Sequence, residues 1–221
     1  MVVKQEVLPV GQLSPPLRQL LQELYEAHYR GRHQFERDLQ EKDWVLLLRQ
    51  ENQVVGFSTL QRRQQDGFVV YFSGDTLVLP GHRQGYDLPR LWGRFVFQLV
   101  AEEALPCLWF LICSGFRTYR FLPVFFRRFF PHFQDDTPSE VKALLDRLAQ
   151  ERYGQLYDAQ SGVIRLSSAS CEELPARQLD AHAQFFLRAN PGWREGHELA
   201  CLTWLQRDNL TEAGQRMVRD C

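Results

Sequence analysis

The chain has 221 residues, of which 44% are hydrophobic and 24% charged, enough for one domain with an extension and too apolar for a disordered or collagen-like chain. A formal net charge of −1 leaves no global field to attract nucleic acid or an anionic membrane. Five cysteines without a CxxC pair speak against a disulfide framework and for a reducing, cytoplasmic setting. No His, Cys and carboxylate cluster has metal-ligand spacing, so no metal is expected. Residues 1–10 lack the charged region and apolar run of a targeting segment. No apolar stretch approaches the roughly 20 residues of a membrane span. The basic residues are nearly all Arg, the exceptions being Lys4, Lys42 and Lys142.

Residues 2–8 read as a first strand. Ser14-Pro15-Pro16 opens a helix, with Pro where a missing N–H does no harm. Leu17, Leu20, Leu21, Leu24, Tyr25 and His28 then follow helical spacing, and residues 35–41 suit a short second helix. Residues 44–49 and 54–60 flank a polar turn and predict an antiparallel hairpin. Asp66-Gly67 is a second turn signal, followed by a long strand over 68–79. Gly74 within that strand marks a bulge or a close backbone approach. Strand alternation places Tyr71, Ser73 and Asp75 on one face and Phe72, Gly74 and Thr76 on the other.

After a loop at 80–85, Asp87-Leu88-Pro89 starts a helix. Its apolar stripe is Leu88, Leu91, Trp92, Phe95, Val96, Leu99 and Val100. Residues 107–113 are an unbroken apolar run, consistent with a buried strand, and complete a strand–helix–strand unit. Residues 117–128 predict a helix broken or kinked at Pro123. Thr137-Pro138-Ser139-Glu140 reads as a capping box opening another helix. Residues 162–167 predict a strand, 175–189 a helix and 198–205 a last strand, before a polar tail from Gln206. The fold class is α+β, with one mixed, largely antiparallel sheet of about seven strands flanked by helices on both faces. Residues 1–136 form the core, and residues 137–221 extend the same domain. That extension completes the sheet, covers a second substrate or forms a homodimer contact, and the sequence leaves the three open.

Residues 71–86, YFSGDTLVLPGHRQGY, carry the chemistry. A strand running through a glycine-containing polar loop into a helix N-terminus makes an anion site, because unpaired N–H groups and the helix dipole face the ligand. His82 and Arg83 add charge-assisted donors. Asp75 is conspicuous inside a β-rich run that disfavours it. Either it organises the bulge or it handles a proton. Residues 115–133 interleave Arg117, Arg120, Arg127 and Arg128 with eight aromatic side chains. They form a core helix with snorkelling Arg, line an apolar tunnel, or make a surface for membrane or nucleic acid.

The order of elements and the stretch Leu77-Val78-Leu79-Pro80-Gly81-His82-Arg83-Gln84-Gly85-Tyr86 resemble the GNAT superfamily of acyl-CoA-dependent N-acyltransferases. The resemblance covers about residues 2–128. With Gly85 as the central glycine, His82 stands where the family carries Arg or Gln, and Asp87 where it carries Gly or Ala. The resemblance implies that Leu77, Val78 and Leu79 bind the pantetheine of an acyl-CoA between two splayed strands. It also implies that His82, Arg83, Gln84, Gly85 and Tyr86 hold the pyrophosphate, and that Ser114 lines the donor site. It implies Tyr119 as the acid that protonates the leaving thiolate and Asp75 as the base for the amine. The implied activity is transfer of an acetyl or longer acyl group from CoA, or from an acyl-carrier protein, to a small-molecule or peptide amine. The alternative is an inactive module of the same fold that holds a thioester or a protein partner.

Overall fold

The computed structural model describes residues 3–29, 35–82, 86–166 and 179–219. Two compact units make up the chain, Met1–Cys107 with Gln215–Cys221, and Leu108–Gly214. The fold is α+β, and all seven expected strands are present. Two further strands of two residues each bring the count among the described residues to nine. Such short strands carry no alternation for a sequence pattern to show.

The first unit contains β1 (Lys4–Pro9), α1 (Pro15–His28), α2 (Phe35–Gln40), β2 (Trp44–Gln50), β3 (Gln53–Gln65), β4 (Phe68–Val78) and α3 (Asp87–Glu102). The four strands pair antiparallel in sequence order. Both tight turns place two residues at positive φ, Glu51 and Asn52 in one, Asp66 and Gly67 in the other. That backbone matches the twist of the flanking strands. Ser14 caps α1 by accepting from the Leu17 amide at 3.4 Å, with Pro in the first turn. Leu21 and Tyr25 of α1 and Phe35 and Leu39 of α2 pack on Val45, Leu47, Phe57 and Leu77 of the sheet. Each such buried side chain stabilises by about 1.5–3 kcal/mol.

The opposite face receives α3. Phe95 meets Trp44 edge-on, with ring centroids 5.3 Å apart. The Trp92 indole donates to Ser73 Oγ at 2.8 Å. Met217 lies so close to Gly93 of α3 that an added Cβ would meet its methyl at 2.9 Å. A larger residue here would have to push the flexible Met217 side chain aside, and glycine avoids that at the expense of helix propensity.

The second unit carries most of β5 (Cys107–Cys113), then α4 (Phe116–Tyr119), α5 (Phe121–Phe125), β6 (Phe129–Phe130), α6 (Ser139–Tyr153), β7 (Tyr157–Asp158), β8 (Val163–Ile164), α7 (Ala181–Ala189) and β9 (Glu198–Trp204). A last helix, α8 (Glu212–Met217), begins in it. β9 is the central strand. It pairs antiparallel with β5 along one edge and with β6 and β8 along the other.

Two expectations change in this unit. The helical segment breaks at Arg120, between α4 and α5, and Pro123 sits inside α5 near its start. A proline is tolerated there because the first helical amides need no intrahelical partner. The capping box does not form. α6 begins at Ser139 with Pro138 as N-cap and no side-chain cap. The polar tail is structured through Asn209, whose amide donates to Arg128 O at 3.0 Å and whose Oδ1 accepts from Arg128 N at 2.9 Å. The helix expected from residue 175 is seen from Ala181, with Asp180 as its cap. Its expected start lies outside the described residues.

Candidate functional site

The first unit gathers polar groups where β4 is irregular. Phe57 pairs with Leu77 and Thr59 with Gly74, so β4 holds one residue more than β3 across this step. Asp75 absorbs it at φ 47°, the left-handed region that Asp tolerates better than most residues. The extra residue reverses the alternation expected for the strand. Tyr71 and Ser73 reach groups of the α3 side, Glu103 and Trp92. The Asp75 carboxylate lies instead on the face of Thr59, which donates to Asp75 Oδ2 at 3.1 Å and to Gly74 O at 2.9 Å. Thr76 meets Ser58, hydroxyl to hydroxyl, at 2.7 Å. Asp75 therefore shares its face with Phe72 and Gly74, opposite to Tyr71 and Ser73.

Three residues that sequence reasoning did not single out complete the bulge. Thr59 bridges it, as described. Tyr29, the C-cap of α1, donates its phenol to Thr76 O at 2.6 Å. Lys42 is buried at 6% exposure, with its ammonium 5.1 Å from the centre of the Phe72 ring. Gly74 makes room for it, since a Cβ there would stand 3.3 Å from Lys42 Cε and 3.2 Å from the Phe72 ring. The adjacent Ser58-Thr59 pair inside an apolar strand was the available signal for Thr59. Lys42 and Tyr29 gave none, because only tertiary packing brings them to β4.

Beyond the bulge, β4 runs on through the donor residues. Leu79 N donates to Val55 O at 2.9 Å. With Leu77 opposite Phe57 and Val78 opposite Gly56, the antiparallel ladder turns the main-chain groups of Leu77 and Leu79 toward β3 and those of Val78 away. The chain then makes a 3-10 turn, Pro80–His82, where His82 N donates to Leu79 O at 2.9 Å. Arg83, Gln84 and Gly85 lie outside the described residues. Tyr86, exposed at 59%, is the N-cap of the sixteen-residue α3 and makes no side-chain cap bond. Asp87 holds a carboxylate in the first turn of that helix.

A second polar cluster in this unit is structural. Arg62 grips Glu103 with both ends of its guanidinium, at 2.5 and 2.7 Å, and Tyr71 donates to the same carboxylate at 3.0 Å. The two partners, Arg62 first, hold the Glu103 carboxyl below the usual carboxylate range. Burial, and then the hydrogen bond to Glu103, push the Tyr71 hydroxyl well up. Burial, and then the Glu103 charge, raise the Cys107 thiol to about 11, so it is a protonated bystander.

In the second unit, Ser114 is half-buried just after β5, and Tyr119 is wholly buried. The Tyr119 hydroxyl donates to Pro131 O at 2.8 Å. Its ring packs among Phe129, Phe185 and Phe186, with centroids 5.7–6.0 Å away. Burial, and then Cys201 and Cys113, raise its pKa far above the usual tyrosine value. Phe116, Phe125, Phe126 and Phe129 are buried at 5% exposure or less. Much of the phenylalanine surface of residues 115–133 is thus consumed by packing. Among the described residues, no group of three His, Cys, Asp or Glu could hold a metal ion. No described helix is long and apolar enough to cross a membrane.

No family model matches the chain, and no curated protein matches it. Solved structures do. An acyl-CoA N-acyltransferase from Pseudomonas aeruginosa is 13% identical, over 49% of this chain and 79% of that one, with a TM-score of 0.41. Arabidopsis thaliana Naa50, in complex with the bisubstrate analogue CoA-Ac-MVNAL, is 12% identical over 63% and 93%, with a TM-score of 0.44. A GNAT family acetyltransferase from Brucella melitensis, in complex with acetyl-CoA, is 18% identical over 48% and 75%, with a TM-score of 0.36. This is likeness of fold alone, and it assigns no residue a role.

Proposed function

We propose that the chain is an N-acyltransferase that moves a short acyl group from acyl-CoA to an amine by direct attack. The observation that carries this reading is the run from β4 to α3. One strand presents a half-exposed carboxylate at a bulge, continues through Leu77–Leu79, and enters a long helix whose first amides have no side-chain cap. That is a proton acceptor and an anion site on one stretch of chain, as the sequence resemblance implies. The Asp87 and Leu88 amides and the α3 dipole face the pyrophosphate, and His82 stands at the turn beside them. Holding two reactants in attack geometry supplies much of the rate.

The acceptor arrives as an ammonium and gives one proton to Asp75. Its nitrogen attacks the thioester carbon, the N–C bond forms and the C–S bond breaks. The nitrogen loses its second proton and the thiolate gains one. The Tyr119 hydroxyl donates to Pro131 O, so this reading gives the proton path to Asp75. A short acyl group suits a phenylalanine segment already spent on packing. The Asp87 carboxylate opposes the pyrophosphate and weakens CoA binding without abolishing it.

A thermal-shift titration with CoA, acetyl-CoA and a long-chain acyl-CoA tests the donor. Acetyl-CoA and CoA should stabilise the protein alike, since a ligand selective for the native state raises stability by RT ln(1 + [L]/Kd). Asp87→Asn should tighten both by about fivefold, the worth of removing one like charge near a helix start. No shift with any of the three overturns the donor site. A shift with no product from a broad amine panel leaves the inactive thioester-binding module in its place.

A further inference from the structure

Resting on the acyl-transfer reading, we infer that Thr59 is a positioning residue for Asp75. It holds the carboxylate on the bulge, and it turns its own proton between Asp75 and the Gly74 carbonyl as Asp75 takes up and gives back a proton of the amine. Thr59 lies on β3 opposite Gly74, at 0% exposure. Its hydroxyl has two acceptors within reach, Gly74 O at 2.9 Å and Asp75 Oδ2 at 3.1 Å, and one proton to give. Bulk water does not reach so enclosed a side chain to replace either bond. Asp75 itself is half-exposed. No described residue donates to its Oδ1, which leaves that oxygen to water and to the incoming ammonium.

The backbone is tied down on both sides of Asp75. Before it, Gly74 O takes the Thr59 bond. After it, Thr76 O takes the Tyr29 phenol at 2.6 Å, and Thr76 Oγ1 meets Ser58 Oγ at 2.7 Å. A side chain branched at Cβ has little rotamer freedom, so what is left to move at Thr59 is the hydroxyl hydrogen. When the ammonium N–H bond breaks and the proton joins Asp75 Oδ1, the carboxyl loses its charge and its pull on Thr59 weakens. The hydroxyl then turns to Gly74 O, the nearer acceptor, and turns back when Asp75 releases the proton. A donor with Asp75 as its sole acceptor would favour the charged carboxylate and oppose its protonation. The second acceptor offsets that opposition, and no buried hydroxyl is stranded in either state.

The test follows thiol release from acetyl-CoA with the intact protein and the best amine of a broad panel. Thr59→Val keeps the branched shape without the hydroxyl. It should lower kcat about tenfold, the worth of one hydrogen bond to a charged group, with KM for acetyl-CoA within about twofold of wild type. Thr59→Ser should restore kcat to within about threefold. In an Asp75→Asn background, Thr59→Val should cost less than twofold more, because a residue acting through Asp75 has nothing left to lose. Should Thr59→Val fail to fold, Thr59→Ala against Thr59→Ser makes the same comparison, since both lack the methyl and only one lacks the hydroxyl. An unimpaired kcat in Thr59→Val overturns the inference, and so does a Thr59→Ser as slow as Thr59→Val or a tenfold loss repeated in the Asp75→Asn background. Those three outcomes leave acyl transfer standing. No product from any amine with the wild-type protein overturns that reading and this inference with it.

Discussion

Asp75 and Tyr119, the two residues marked by sequence for moving protons, sit in opposite surroundings. Asp75 rides on a bulge, half-exposed, with one shared hydroxyl donor. Tyr119 is enclosed, its only proton given to a backbone carbonyl and its ring packed among three phenylalanines. A group that must exchange protons needs an open partner and a route, and only the first has both on view. The difference shows that residue type names a capability and burial decides whether it can be used. Cys113 makes the same point. Burial, and then the neighbouring Cys201, hold its thiol protonated, so it has no nucleophile's character.

The comparison breaks hardest at Asp75. Asp75→Asn keeps the size and the left-handed backbone that Asn also tolerates, and should cost about 100-fold in kcat while melting near wild type. A rate within a fewfold of wild type would make the carboxylate a bulge-former only. Tyr119→Phe should do the reverse. Losing the bond to Pro131 O costs about 1–2 kcal/mol in denaturant unfolding, and acyl transfer should stay within about threefold. A loss of 100-fold in rate would place Tyr119 in the chemistry after all.

Smaller effects sharpen the contrast through pH. Glu103 has its carboxyl held below the usual range by Arg62. Its stabilisation is complete above the unfolded-state carboxylate range and is lost as pH falls through the lowered folded value. Glu103→Gln should cost about 1 kcal/mol at neutral pH and flatten the acid limb of a stability–pH curve. In the second unit, burial, and then His132, depress the pKa of His182, whose Nδ1 is buried without a hydrogen-bond partner. Its ring lies 5.4 Å from His132 and 4.7 Å from Phe133. The fold keeps it neutral, so its contribution is complete above the unfolded histidine value and fades as pH falls toward the folded one. His182→Phe should remove a small loss of melting temperature on going from pH 7 to pH 5. An unchanged pH dependence would show that the ring protonates freely in place.

Much of the fold was legible because local rules carried it. The Ser14-Pro15-Pro16 start, the positive-φ hairpin turns and the stripe of α3 each follow from a few neighbouring residues. The start of α3 at Asp87 was legible for the same reason, whereas residues 80–82, read only as part of a loop, make a 3-10 turn. The capping box failed because Thr137 and Glu140 fit the pattern without the backbone to use it. β6 and β7, at two residues each, exist only because β9 and β8 offer edges to pair with.

What the sequence determined by itself is the class of structure and the order of its elements, since hydrophobic period and turn chemistry act over short spans. It also marked Asp75 as a residue needing a reason. Only the tertiary structure decided what that reason is. One extra residue in β4 turned the carboxylate toward Thr59, and packing brought Lys42 and Tyr29 from distant segments to the neighbouring Gly74 and Thr76. It likewise decided that Tyr119 and much of the phenylalanine-rich stretch fill a core, because which aromatic surface is buried depends on what the rest of the chain lays against it.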